Sequence, residues 1–129
     1  MEVAEHLKPS RADSFVNDLC KASFAVLFSA ARPNQGGRNH LNEQLASYWV
    51  KKFHKKGYIA IDCIRPFVKD NFEVEHWYRT NTLLFVSDKI IKKVISSFPR
   101  SNLSYFNQYS HVGLRSACNQ LINSIRKAS

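Results

Sequence analysis

The chain has 129 residues, 44% of them hydrophobic, with 19 Lys and Arg against 10 Asp and Glu and a formal net charge of +9. So much apolar material covers a core, which excludes a disordered or collagenous chain, and the length fits one domain of about 100 to 200 residues rather than a two-domain enzyme. No apolar run reaches the roughly 18 residues of a membrane-spanning helix. Glu2, Glu5 and His6 also stand where a signal peptide is basic and then apolar, so a soluble, unexported, cytoplasmic protein without a membrane partner is expected.

The elements read as follows in chain order. Ser10 with Asp13 forms a capping-box pattern, and Phe15, Val16, Leu19 and Ala22 recur at helical spacing, which predicts an amphipathic helix from about Ser10 to Lys21. Phe24 to Ser29 is a short, continuous apolar run, as in a strand of a parallel sheet buried on both faces. Arg32 to His40 carries Pro33, Gly36 and Gly37 without apolar periodicity and reads as a loop. From about Asn42, Leu45, Tyr48, Trp49 and Phe53 make one helical face, with Lys51, Lys52, His54, Lys55 and Lys56 on a solvated one and Gly57 as the stop. Tyr58 to Ile64 and Asn81 to Val86 read as strands, and Arg65 to Thr80 as a long functional or covering loop between them. Ile90, Ile91, Val94 and Ile95 predict a short helix, and Leu114, Cys118, Leu121, Ile122 and Ile125 a terminal one. This alternation predicts an α/β sheet with helices on both faces, too small to be complete and leaving an open edge that invites association.

Residues 1–50 carry five basic and five acidic side chains, residues 51–129 fourteen and five, and from Arg100 onward there are four basic residues and no acidic one. That distribution suits an anionic partner such as nucleic acid, or a solvated surface. Cys20, Cys63 and Cys118 lie far apart without metal-ligand spacing and read as packed, reduced thiols.

Five segments together resemble a known family. They are Glu2 to Leu7; Val26 to Ala31 with Pro33, Gln35-Gly36-Gly37, His40 and Asn42-Glu43-Gln44; Ser47-Tyr48-Trp49; Asp62 to Pro66; and Trp77-Tyr78 followed by Asn81 to Val86. In this order they look like the second half of a class I S-adenosylmethionine-dependent methyltransferase, over about residues 1 to 90. The resemblance implies a Rossmann-like, mainly parallel seven-stranded sheet, here partial, with strands five to seven and their helices in this chain and the last strand antiparallel. It implies S-adenosylmethionine as cofactor and methyl transfer to an acceptor as the reaction. It divides the chain into a methyltransferase-like half, 1–98, and a basic helical extension, 99–129.

The glycine-rich cofactor turn of that family has no counterpart here, because Gly36 and Gly37 follow a later strand. Met1 falls where the fourth strand would end, so the chain reads as a carboxyl-terminal half. It would need an amino-terminal complement or self-association before it binds cofactor, and no cofactor-binding residue is assigned.

Within the resemblance, His6 is the candidate base or acceptor-orienting group, since an unperturbed imidazole titrates near neutral pH, and Glu5 the residue that orders it or faces the cofactor. His40, Asn42, Glu43 and Gln44 would contact the acceptor, and Trp77 and Tyr78 would close its site. The alternative for Asn42 is to cap the following helix. His40 and Glu43 offer two metal ligands without a third, so no metal site is assigned. The competing reading of the whole chain is a noncatalytic basic module that binds nucleic acid or a protein.

Overall fold

A computed structural model of the protein describes residues 1–91. Two single 3-10 turns, Ala4–His6 and Pro9–Arg11, lead into helix α1 (Ala12–Ala22) and strand β1 (Ala25–Phe28). Helix α2 (Ala46–His54), strand β2 (Tyr58–Ile61), the short helices α3 (Arg65–Val68) and α4 (His76–Asn81), and strand β3 (Leu83–Ser87) follow. Helical backbone begins again at residue 88. The boundary at 98/99, the expected extension 99–129, Val94, Ile95, Cys118 and the basic stretch from Arg100 lie outside the described residues.

The molecule is mixed α/β with a three-stranded sheet in the order β1-β3-β2. Both ladders are antiparallel: Val26 faces Phe85 and Phe28 faces Leu83 on one side of β3, and Ile59 faces Val86 and Ile61 faces Leu84 on the other. This corrects the parallel environment expected for β1. β1 and β2 do point the same way, but β3 lies between them, so neither pairs with a parallel neighbour among the described residues. The strand buried on both faces is β3, whose Leu83, Leu84, Phe85 and Val86 are all buried. β1 is an edge strand with one buried face, and its Leu27 is 45% exposed.

Alternation along the strands sorts the core into two layers. Val26, Phe28, Leu83, Phe85 and Tyr58 face α1 and α2, meeting Ala12, Val16, Trp49 and Phe53. Phe53 stacks on Phe85 with ring centroids 3.9 Å apart, and Phe28 touches Trp49, Phe53 and Phe85 in tilted or edge contacts. Each such buried ring contributes about 2 to 3 kcal/mol of apolar burial. Leu84 and Val86 face the opposite way and pack with Cys63, Ile64, Phe67, Ile90 and Ile91.

Several local expectations change. Ser10 does not cap α1, because Pro9 opens a 3-10 turn with its preset φ and Arg11 takes the N-cap position without a side-chain bond. Asp13 instead reaches Lys52 of α2 at 2.8 Å, while Lys56 reaches Asn17 at 2.9 Å. Part of the lysine face expected to be solvated therefore ties α2 to α1. The stretch from Arg65 to Thr80 is not a plain loop but holds α3 and most of α4, and Asn81 ends α4 rather than starting β3. Gly57 stops α2 as expected, at φ 77° with its N–H on the His54 carbonyl. Among the described residues, no helix is long and apolar enough to cross a membrane.

Candidate functional site

The amino-terminal segment folds back onto the carboxyl end of β1. The Glu2 N–H donates to the Ser29 carbonyl at 3.0 Å and to its hydroxyl at 3.2 Å, with Glu2 at a left-handed φ of 51°. The turn Ala4–His6 then lies under the loop that follows β1. The Glu5 carbonyl accepts from the N–H groups of Leu41 (2.7 Å) and Asn42 (2.9 Å), and the Gln44 N–H donates to the Ala31 carbonyl. Asn34 and Asn39 take the left-handed bends of this loop, at φ 67° and 60°, a conformation asparagine tolerates.

These bonds bring residues distant in sequence together. The His6 and His40 rings meet edge to face with centroids 4.9 Å apart. One ligand-type atom from each of Glu5, His6 and His40 lies within 4.8 Å of the others. Each imidazole is oriented through Nδ1: that of His6 is 3.3 Å from the Asn39 carbonyl, that of His40 2.8 Å from Glu43 Oε1. Glu43 is held in turn by the Asn34 N–H, 3.0 Å from Oε2. Gly37 packs against the His40 ring, where a Cβ would collide with it.

Glu5 is 1% exposed and its Oε2 has no hydrogen-bond partner. Burial raises its carboxyl above the ordinary value and the neighbouring Glu2 carboxylate adds to that, against its own backbone bond and the His6 charge. An exposed imidazole beside a buried, unsatisfied carboxylate is suited to take a proton or to hold a cation.

The other expected site residues fall into different roles. Asn42 is buried and does not cap α2; its N–H is held by Glu5, its Oδ1 accepts from Gln44 Nε2 at 3.0 Å, and Leu45 occupies the N-cap position. Asn42 and Gln44 are thus bonded to each other and, through their backbone N–H groups, to the carbonyls of Glu5 and Ala31. Trp77 and Tyr78 lie on α4, where their rings touch each other at 6.2 Å, while those of His6 and His40 pack together. The link from α4 to the site runs through Asn81, whose Nδ2 donates to Gln35 Oε1 at 2.7 Å, and Gln35 Nε2 reaches Glu2 Oε2 at 3.5 Å. Glu2, unassigned from the sequence, belongs to this neighbourhood; its signal is the spacing Glu2-x-x-Glu5-His6, one turn apart.

Two depressions among the described residues do not suit S-adenosylmethionine. The basin between α3 and α4 is lined by Arg32, Arg65, Lys69 and Arg79, cations that repel a sulfonium, with Asp62 engaged by Arg65 at 2.6 Å. The groove beside β1, lined by Met1, Val3, Phe15, Leu19 and Leu27, presents no carboxylate for a ribose. The arginines of the basin also turn donors inward: Arg32 and Arg65 both donate to the Thr80 carbonyl, and Arg79 to that of Lys69. Compared with known protein families, curated proteins and solved structures, the chain matches none.

Proposed function

We propose that this chain is the acceptor-binding half of a class I methyltransferase-type sheet, completed by strands added along the outer edge of β1. The observation that carries this reading is that edge itself. Among the described residues β1 pairs with β3 alone, and beside it runs the groove lined by Met1, Val3, Phe15, Leu19, Val26 and Leu27. Met1, Val3 and Leu27 are exposed by 52%, 47% and 45%, apolar surface beside unpaired backbone of the kind a further strand covers.

Two further features support it. β3 runs antiparallel to its neighbours, the direction the resemblance assigns to its last strand. The polar cluster of Glu5, His6 and His40 lies at the carboxyl end of β1, the end at which open α/β sheets bind ligands. In this reading His6 and His40 face the methyl acceptor and the added strands bring the cofactor site. No step through the cofactor is assigned to this chain.

The experiment is calorimetric titration with S-adenosylhomocysteine of the 129-residue chain and of a fusion that places the first four strands of a class I methyltransferase ahead of Met1. The chain alone gives no binding and the fusion binds at micromolar concentration. A folded fusion that takes up no S-adenosylhomocysteine overturns the reading. Binding of nucleic acid that collapses steeply with salt, in place of cofactor binding, assigns the chain to the basic-module alternative.

A further inference from the structure

We propose that Glu5, His6 and His40 form a binding site for a divalent first-row transition-metal ion. Two imidazoles and one carboxylate are the donor set of open catalytic zinc sites and of the facial triads that hold iron, with positions left for water or a substrate oxygen. The three ligand-type atoms lie within 4.8 Å of one another. Donors sharing one ion at about 2.1 Å are at most about 4.2 Å apart, so closure needs only a small inward rotation of side chains.

The surroundings are those of a metal site rather than of a chance cluster. Both histidines have Nδ1 near an oxygen, His6 the Asn39 carbonyl and His40 the Glu43 carboxylate, so each ring is held in place beside the Glu5 carboxyl. A carboxylate behind a histidine is the outer-shell arrangement that orients metal-bound imidazoles, and Glu43 is itself braced by the Asn34 N–H. The independent sign is Glu5. Its side chain is almost wholly buried against the Glu2 carboxyl, and neither Glu5 Oε2 nor Glu2 Oε1 meets an N–H or O–H donor from any other residue. Two carboxyls shielded from water repel each other when both are ionised, and a cation between Glu5 and the two imidazoles relieves that repulsion. With imidazole ligands the site favours Zn2+ or Co2+, with Mn2+ weaker, over Mg2+ or Ca2+, which prefer all-oxygen sets. With an ion bound, His6 is a ligand rather than the proton acceptor, and the proposal does not depend on the methyl-transfer reading.

The test is calorimetric titration of the full 129-residue chain with Mn2+, Co2+ and Zn2+, with Mg2+ as comparison and fold checked by near-ultraviolet circular dichroism. One equivalent binds at micromolar concentration or tighter, and saturating ion raises Tm. Glu43→Ala weakens binding about 10- to 100-fold. Glu5→Gln loses binding by at least about 100-fold while the apo Tm is equal or higher, a combination that a purely structural Glu5 does not produce. His6→Ala, at an exposed position, repeats the loss where Glu5→Gln fails to fold, and the exposed-histidine controls His54→Ala and His76→Ala bind as the parent does. A folded chain that binds no ion, or binding that persists unchanged in His6→Ala and Glu5→Gln, overturns the proposal.

Discussion

Gly36 and Gly37 are adjacent, and from the sequence both are turn residues. Both have positive φ, 76° and 142°, but their surroundings differ: nothing lies within 4 Å of a Cβ at Gly36, while at Gly37 it would strike the His40 ring. Gly36→Ala therefore costs only the left-handed backbone penalty, about 1 kcal/mol. Gly37→Ala adds displacement of a half-buried imidazole from its Glu43 bond, for a total of about 2 to 3 kcal/mol. Urea denaturation of the two variants checks this, and equal losses would remove Gly37 from the support of His40. The sequence made His40 and Glu43 conspicuous as a polar set in a loop. Their use was not legible, because Glu43 spends its oxygens on His40 and Asn34, and the partners of His40 are Glu5 and His6, which no local periodicity joins to it.

At the scale of elements, α1 and α2 are joined by an apolar seam and by the Asp13–Lys52 pair. The hydrogen bond from Lys52 outweighs the opposing effect of burial and, with the charges of Lys52, Lys55 and Lys56, holds the Asp13 carboxyl below its ordinary value. The folded chain thus binds fewer protons there than the unfolded chain. The pair's contribution is fully present above about pH 4, the unfolded value, and is lost as pH falls through the lowered folded value. Asp13→Asn accordingly shows a small Tm deficit at pH 7 that closes as pH falls through the lowered folded value, measured against the parent at each pH; a deficit independent of pH would assign the effect to something other than charge. The helical spacing of Phe15, Val16, Leu19, Trp49 and Phe53 made these two helices legible. The cap at Ser10 was not, since Pro9 competes for the same turn and the first-turn acid is drawn to a lysine 39 residues away.

At the scale of the whole molecule, the feature that bears on behaviour in solution is β1, which among the described residues pairs on one side only. Edge strands with exposed apolar side chains recruit other strands, and Leu27 stands at the middle of this one. In the absence of a completing partner the chain associates with itself, and its mass by light scattering rises with concentration. Leu27→Glu returns it to monomer at the same concentration, while a parent that stays monomeric throughout would show the edge to be covered.

Composition and periodicity by themselves determined that this chain has a core, that α1 and α2 are amphipathic, where the three strands lie to within a few residues, and which loop carries the polar side chains. These are properties of neighbours in sequence, set by the 3.6-residue and two-residue repeats of helix and strand. Only the tertiary structure decided that β3 lies between β1 and β2, that β1 pairs on one side only among the described residues, and that Glu5 and His6 meet His40. Those outcomes depend on which distant backbone groups find each other, as Glu2 finds Ser29 and Asn42 finds Glu5, and such pairings leave no period in the chain.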